Sequence, residues 1–235
     1  MKVVLYCLIA CGFAVLLGCE TMQVNSDKPL NTSAPKLQIA SELFNSRDEP
    51  AKAEELIREE IERYRDDKNQ LGLAEAYRQY GLLLRSNAVE KFESYYREKG
   101  FEDKSIKYDQ RYEKAIEYFD KAKEIFEDYG RIDTASNLYI SLAKTYDLMN
   151  RRKEACTSFA MGLEKYQAYK KLNPEALELR SEEMQRYEEY IGILMQQAGC
   201  TASAASAVSS ETQQHDGSSS GDGGGMAATT AGGAR

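Results

Sequence analysis

Few residues in this chain are equipped for chemistry. Its one histidine, His215, lies in residues 201–235, a stretch made mostly of Ser, Thr, Gly and Ala. There it reads as a solvated side chain, so no nucleophile has a structured imidazole to activate it. The acidic clusters Glu54-Glu55 and Glu59-Glu60 have Lys and Arg nearby at helical spacing and read as a solvated helix face with i,i+4 pairs. Neither His nor paired Cys stands near them, so no metal constellation forms. No Gly-rich loop follows a strand. The expectation is a protein that is not an enzyme and uses no cofactor or metal. Of the five cysteines, Cys7, Cys11 and Cys19 fall at the amino terminus and only Cys156 and Cys200 fall further on. Cys19 closes a run with Lys2 ahead and an apolar stretch from Val3 to Leu17, 15 residues long. A basic start, a short apolar stretch and a small residue at the end are the marks of a secretory signal. A helix that spans a membrane needs about 20 residues.

Leu16-Leu17-Gly18-Cys19 resembles the bacterial lipobox. The resemblance implies diacylation of Cys19, cleavage ahead of it and acylation of the new amino terminus. Residues 1–18 are then the signal peptide and residues 19–35 a flexible tether between lipid and domain. More than one acyl chain anchors stably where one binds only marginally. Glu20 follows the lipidated position, where Asp favours inner-membrane retention in Gram-negative lipoproteins. The expected location is therefore the outer membrane, facing the periplasm.

The net charge of -7 gives no electrostatic case for nucleic-acid binding. There are 16 Tyr and no Trp, and the Tyr recur mostly at helical spacing. Between the tether and the low-complexity tail of residues 200–235, apolar residues recur at three and four and never at two, so the domain of residues 36–199 is expected to be all-α. The tail cannot bury enough apolar surface to order itself. Self-comparison gives a period of 40 residues. Ala115, Phe119 and Ala122 recur as Ala155, Phe159 and Gly162. Tyr139, Leu142, Ala143 and Tyr146 precede the second set, and Tyr77, Tyr80, Gly81 and Leu84 precede the first after 22 inserted residues. A degenerate copy holds Leu37, Ala40, Ser41 and Phe44, then Ala53 and Ile57.

Over residues 34 to about 170 this pattern resembles tetratricopeptide-repeat (TPR) proteins, although the family's usual period is 34 and its Pro near each repeat end is missing. The resemblance implies a short α-solenoid of about three helix pairs, which Pro174 to about Ala198 would close as a capping helix with Asn173 as N-cap. It also implies a groove lined by the first helix of each pair. Carried over by repeat position, the groove residues are Glu75, Arg78, Leu82 and Arg85 in the second copy, and Asn137, Ile140, Lys144 and Asp147 in the third. Their chemistry suits an extended acidic or C-terminal peptide. The insertion, with Gly100 at its middle, is expected to form an extended helical hairpin projecting roughly 16 Å. Phe92, Tyr95, Tyr96, Phe101 and Tyr108 would meet a partner or a second copy of the chain on its faces. Antiparallel packing about a turn near Leu172 places Cys156 opposite Glu188, roughly 18 Å short of Cys200. A chain folding back after Gly199 closes that gap, and a buried inert thiol at Cys156 is the other reading. The expected role is an outer-membrane lipoprotein adaptor in assembly of a pilus, secretion or outer-membrane-protein machine; a scaffold recruiting peptidoglycan hydrolases is the alternative. One outcome follows from the lipobox alone. Cys19→Ala abolishes lipidation and cleavage at this site, and the intact mass of the mature wild-type protein carries the acyl groups that the variant lacks.

Overall fold

The computed structural model describes residues 35–175 and 186–200. These residues form nine α-helices and one 3-10 turn, with no strand among them. The helices are α1 (Pro35–Ser46), α2 (Pro50–Asp66), α3 (Gln70–Leu84), α4 (Asn87–Lys91), α5 (Glu93–Lys99), α6 (Arg111–Asp128), α7 (Ile132–Leu148), α8 (Arg152–Leu172) and α9 (Tyr187–Gln197). A 3-10 turn at Tyr108–Gln110 leads into α6.

The chain reverses in the same way at several places. Three residues each join α1 to α2, α2 to α3, α6 to α7 and α7 to α8, and the middle residue is left-handed at all four: Asp48 (φ 53°), Lys68 (φ 53°), Gly130 (φ 68°) and Asn150 (φ 56°). At the last three the backbone closes a Schellman motif. The N–H of Asn69, Arg131 and Arg151 reaches the carbonyl five residues back at 2.9, 2.7 and 2.8 Å. The N–H of Lys68, Gly130 and Asn150 reaches the carbonyl three back at 3.1, 2.9 and 2.9 Å. The centres of these turns lie 20 residues apart on either side of the insertion. The 40-residue period is therefore two helix-plus-turn units, and its length resides in the helices, because the connections are minimal.

Consecutive reversals pair α1 with α2 and α7 with α8, while α3 pairs with α6 across the insertion; α2 packs on α3 and α6 on α7. The repeated small residues set the separations. A Cβ added to Gly81 of α3 would lie 2.6 Å from the Phe119 ring of α6. One added to Gly162 of α8 would lie 2.9 Å from Ile140 Cδ1 and 3.2 Å from the Ser136 carbonyl of α7. Ala115, Ala122 and Ala155 are fully buried, as is Phe119. One apolar core runs from Leu37 of α1 to Leu142 of α7, and a second, containing Ile140, Ala143, Phe159, Tyr166, Tyr187 and Ile191, lies beneath α9.

Two expectations are corrected. The insertion makes no pair of long projecting arms. Its first half breaks at Phe92 into the short helices α4 and α5, which end at Gly100 (φ 74°), and the stretch from Phe101 to Lys107 is not helical. The cause is burial. Tyr96, Phe101, Ile106 and Tyr108 are buried, with Tyr96 and Phe101 stacked at 4.3 Å, which two solvent-exposed arms would forbid. Polar contacts hold the segment down. Lys91 pairs with Asp48 in the α1–α2 turn, the Glu102 N–H donates to Glu54 of α2 at 2.8 Å, and the Tyr118 hydroxyl of α6 donates to Asp103 at 3.1 Å. Only Phe92 and Tyr95, 40% and 43% exposed, face solvent among the five expected aromatic contacts. The second correction concerns the cap. Asn173 ends α8 instead of starting a helix, its N–H bonded to the Tyr169 carbonyl at 2.9 Å, and α9 starts at Tyr187. Residues 176–185 of the expected cap lie outside the described residues, as do Cys19, the tether through residue 34 and the tail from 201.

Two glycines should respond with opposite signs. Gly81→Val forces a side chain into the Phe119 ring and lowers stability by roughly 1–3 kcal/mol. Gly192, inside α9 with nothing within 4 Å of its added Cβ, gains roughly 0.5–1 kcal/mol on Gly192→Ala. Urea unfolding of both variants checks the pair.

Candidate interaction groove

The structure divides the eight expected groove residues into two groups. In the second copy, Glu75 and Arg78 pair with each other one turn apart on α3, with nitrogen–oxygen distances of 2.5 and 2.8 Å. Gln79 donates to the same carboxylate at 3.2 Å. Leu82 and Arg85 stand further along and line a cleft of about 330 Å³. Its other walls are Phe44 and Asn45 at the end of α1, Asp48 in the turn, and Ser86, Asn87, Ala88 and Lys91 at the start of α4.

Arg85 is the unusual group there. Burial pushes its guanidinium down to about 10, and the nearby Tyr190 of α9 opposes the shift. It stays protonated at neutral pH. Its ring contact is Phe119, 5.6 Å away, and no hydrogen bond or ion pair reaches it among the described residues. Desolvation without a counter-charge costs free energy. The other cation of the cleft, Lys91, is occupied by both oxygens of Asp48 at 2.7 and 2.9 Å.

In the third copy, three of the four expected residues are engaged by α9, although Asn137 itself stays exposed. The Tyr187 hydroxyl donates to Asn137 Oδ1 at 2.7 Å and lies 3.2 Å from Ser136 Oγ, which itself donates to the Gly162 carbonyl at 2.8 Å. Lys144 donates to the Tyr190 hydroxyl at 2.9 Å. Ile140 is buried in the core beneath α9, which also takes in Ile191. Asp147 stays exposed. Tyr187, Ile191 and Leu194 share one face of α9, which lies against both helices of the third pair.

Cys156 and Cys200 form a disulfide with Cα atoms 5.5 Å apart. α8 ends at Leu172 and α9, which starts at Tyr187, packs against it. Tyr187 packs on Tyr166 with ring centroids 4.3 Å apart and the rings tilted. Gly199 (φ 70°) supplies the fold-back, with the Cys200 N–H bonded to the Met195 carbonyl at 2.9 Å.

A second polar centre was missed. Glu54 and Glu60, read as solvated, are each only 2% exposed. Periodicity held the signal: both sit on the stripe Ala53, Ile57, Ile61 and Tyr64 that faces the core. Glu60 is met by Arg63 at 3.1 and 2.5 Å. Glu54 accepts from the Tyr80 hydroxyl at 2.6 Å and from the Glu102 N–H at 2.8 Å. Burial pushes its carboxyl up from 4.5 to about 7, against the lowering effect of these two hydrogen bonds.

Among the described residues no group of three or more His, Cys, Asp or Glu is placed to hold a metal ion, and no helix is long and apolar enough to cross a membrane. The chain matches no protein-family model, no curated protein and no solved structure.

The raised Glu54 carboxyl sets the pH dependence of stability. The folded chain holds its proton more tightly than the unfolded chain, so the stabilisation is full below the unfolded value near 4.5 and is lost as pH rises through about 7. The loss amounts to roughly 3 kcal/mol, because each tenfold change in proton affinity is worth about 1.4 kcal/mol. Wild-type protein should unfold at lower urea at pH 8 than at pH 5, and Glu54→Gln, which keeps the acceptor without the charge, should flatten that difference.

Proposed function

We propose that this chain is an outer-membrane-anchored TPR-like lipoprotein. It acts as a protein–protein adaptor in assembly of an envelope machine such as a pilus, a secretion system or the outer-membrane-protein insertion apparatus. The observation that carries the binding role is Arg85: a half-buried cation with no counter-ion among the described residues, in a cleft, at a position where the TPR resemblance expects a ligand contact. Such a group gains most from a partner that brings a carboxylate, because charge-assisted hydrogen bonds are the strong ones. Acidic side chains or a carboxyl terminus on an extended peptide fit the cleft, with the amides of Asn45 and Asn87 beside it.

Support for a TPR-like solenoid comes from three sequential helix pairs, the Schellman reversals and the small-residue contacts at Gly81 and Gly162. Support for export comes from the signal-like amino terminus and from the Cys156–Cys200 disulfide, a bond typical of oxidising compartments.

Capture from detergent-solubilised envelope tests the reading. Wild-type lipoprotein should retain secretin, pilus or outer-membrane-assembly subunits, and Arg85→Ala should weaken capture by roughly 10- to 100-fold, the value of about 1.5–3 kcal/mol for a charged hydrogen bond. Cell-wall hydrolases in place of assembly subunits would move the role to the alternative scaffold. Equal capture by Arg85→Ala would remove the cleft from the account.

A further inference from the structure

The third helix pair carries a filled binding face. On α7, Asn137 and Lys144 each hydrogen-bond a tyrosine hydroxyl of α9, and Ile140 packs in the same core as Ile191 between those polar contacts. Tyr187, Tyr190, Ile191 and Leu194 follow the i, i+3, i+4, i+7 spacing of one helix face. Aromatic hydroxyls meet the polar rim and the aliphatic groups enter the centre. This is how an amphipathic helix lies in a groove.

The occupant is weakly self-sufficient. α9 has 11 residues, and isolated helices shorter than about 12–15 residues are marginal in water. Two covalent routes hold it to the body: the connection from α8 and the Cys156–Cys200 bond. The bond sits just past the end of α9, beyond the Gly199 reversal, while the tyrosine contacts lie at its start. The two sulfurs differ in access: Cys156 is buried and Cys200 is half-buried.

We propose that the α7 face is a helix-binding surface kept occupied by the chain's own C-terminal helix, with Cys156–Cys200 as the clasp. The partner it fits is an amphipathic helix with the Tyr-x2-Tyr-Ile-x2-Leu pattern, admitted when a dithiol opens the bond. One thiolate of the dithiol attacks Cys200 Sγ, giving a mixed disulfide, and Cys156 leaves as a thiolate and takes a proton. The second thiol of the reductant attacks its own sulfur in the mixed disulfide, releasing Cys200 and departing as a cyclic disulfide. Two electrons and two protons pass to the protein. The inference deepens the adaptor reading by naming a second binding face and the class of helix it takes, yet it stands or falls without any captured partner.

Two measurements on the full chain test it. Hydrogen exchange with and without dithiothreitol should show amides Tyr190 to Gln197 exchanging at least tenfold faster after reduction, while α7 and α8 keep their protection. Unchanged protection of α9 would show that the bond is no clasp. The second measurement uses Ile191→Asp with Cys200→Ser, which removes the native occupant, and a fluorescein-labelled peptide of residues 186–200 carrying Ser at position 200. Anisotropy should saturate below millimolar variant and stay flat with oxidised wild type. Absence of saturation with the variant, its α7 and α8 still protected from exchange, would overturn the helix-binding face; saturation with oxidised wild type would overturn its occupancy.

Discussion

Reversal of direction within three residues is the constraint on which the rest of this molecule depends. A connection that short leaves the next helix no choice but to run back along its predecessor, so each unit must present a face that packs at once. The left-handed residue that permits the reversal is costly for an L-amino acid, roughly 1–2 kcal/mol in conformational terms. Only Gly130 among the four avoids that cost; Asp48, Lys68 and Asn150 meet it, and the two backbone hydrogen bonds at each of the last two offset it. Once the axes are antiparallel and close, small residues are required where they approach, at Gly81 under Phe119 and Gly162 under Ile140. The 20-residue rhythm is thus the linear image of one steric rule.

Against that regular frame the insertion behaves as a second layer. Its apolar residues add to a core that already exists, and its backbone is pinned where Glu54 and Asp48 meet it. Glu54 couples the layers, since one carboxylate oxygen accepts from Tyr80 of α3 and from the backbone at Glu102. A carboxyl so far removed from water serves as a hydrogen-bond hub at the expense of its own ionisation. Among the described residues α9 is held by the small core around Ile191, by tyrosine hydroxyls at one end and by a covalent bond beyond the other.

The helical class and the pairing of α3 with α6 across 22 residues were legible from spacing alone, because Ala, Gly and aromatic residues recur where backbones approach. The insertion was expected to project because aromatic residues such as Phe92 and Tyr96 show that a face exists and leave open what it packs on. Burial of Tyr96 and Phe101 decides between a protruding arm and a folded-back one, and burial is a tertiary property. Glu54 shows a different failure: its charge outweighed its place on the buried stripe, although Ala53, Ile57 and Ile61 marked that stripe. Among the groove residues, repeat position located Leu82 and Arg85 at a cleft. It could not foresee that α9 of the same chain would engage Asn137, Ile140 and Lys144, since that contact is made across about 50 residues of sequence and no periodicity records it.

The Cys156–Cys200 bond also changes the topology of the molecule as a polymer. From residue 156 to residue 200 the chain is a closed ring, with the 35 residues after Cys200 attached to it at a single point. A single peptide-bond cut anywhere in that ring opens it without dividing the molecule: mass rises by one water, and both pieces stay joined through sulfur. The C-terminal residues are thereby retained after a nick that would shed them from a linear chain, and after a cut within the ring they come free only once the disulfide is also reduced.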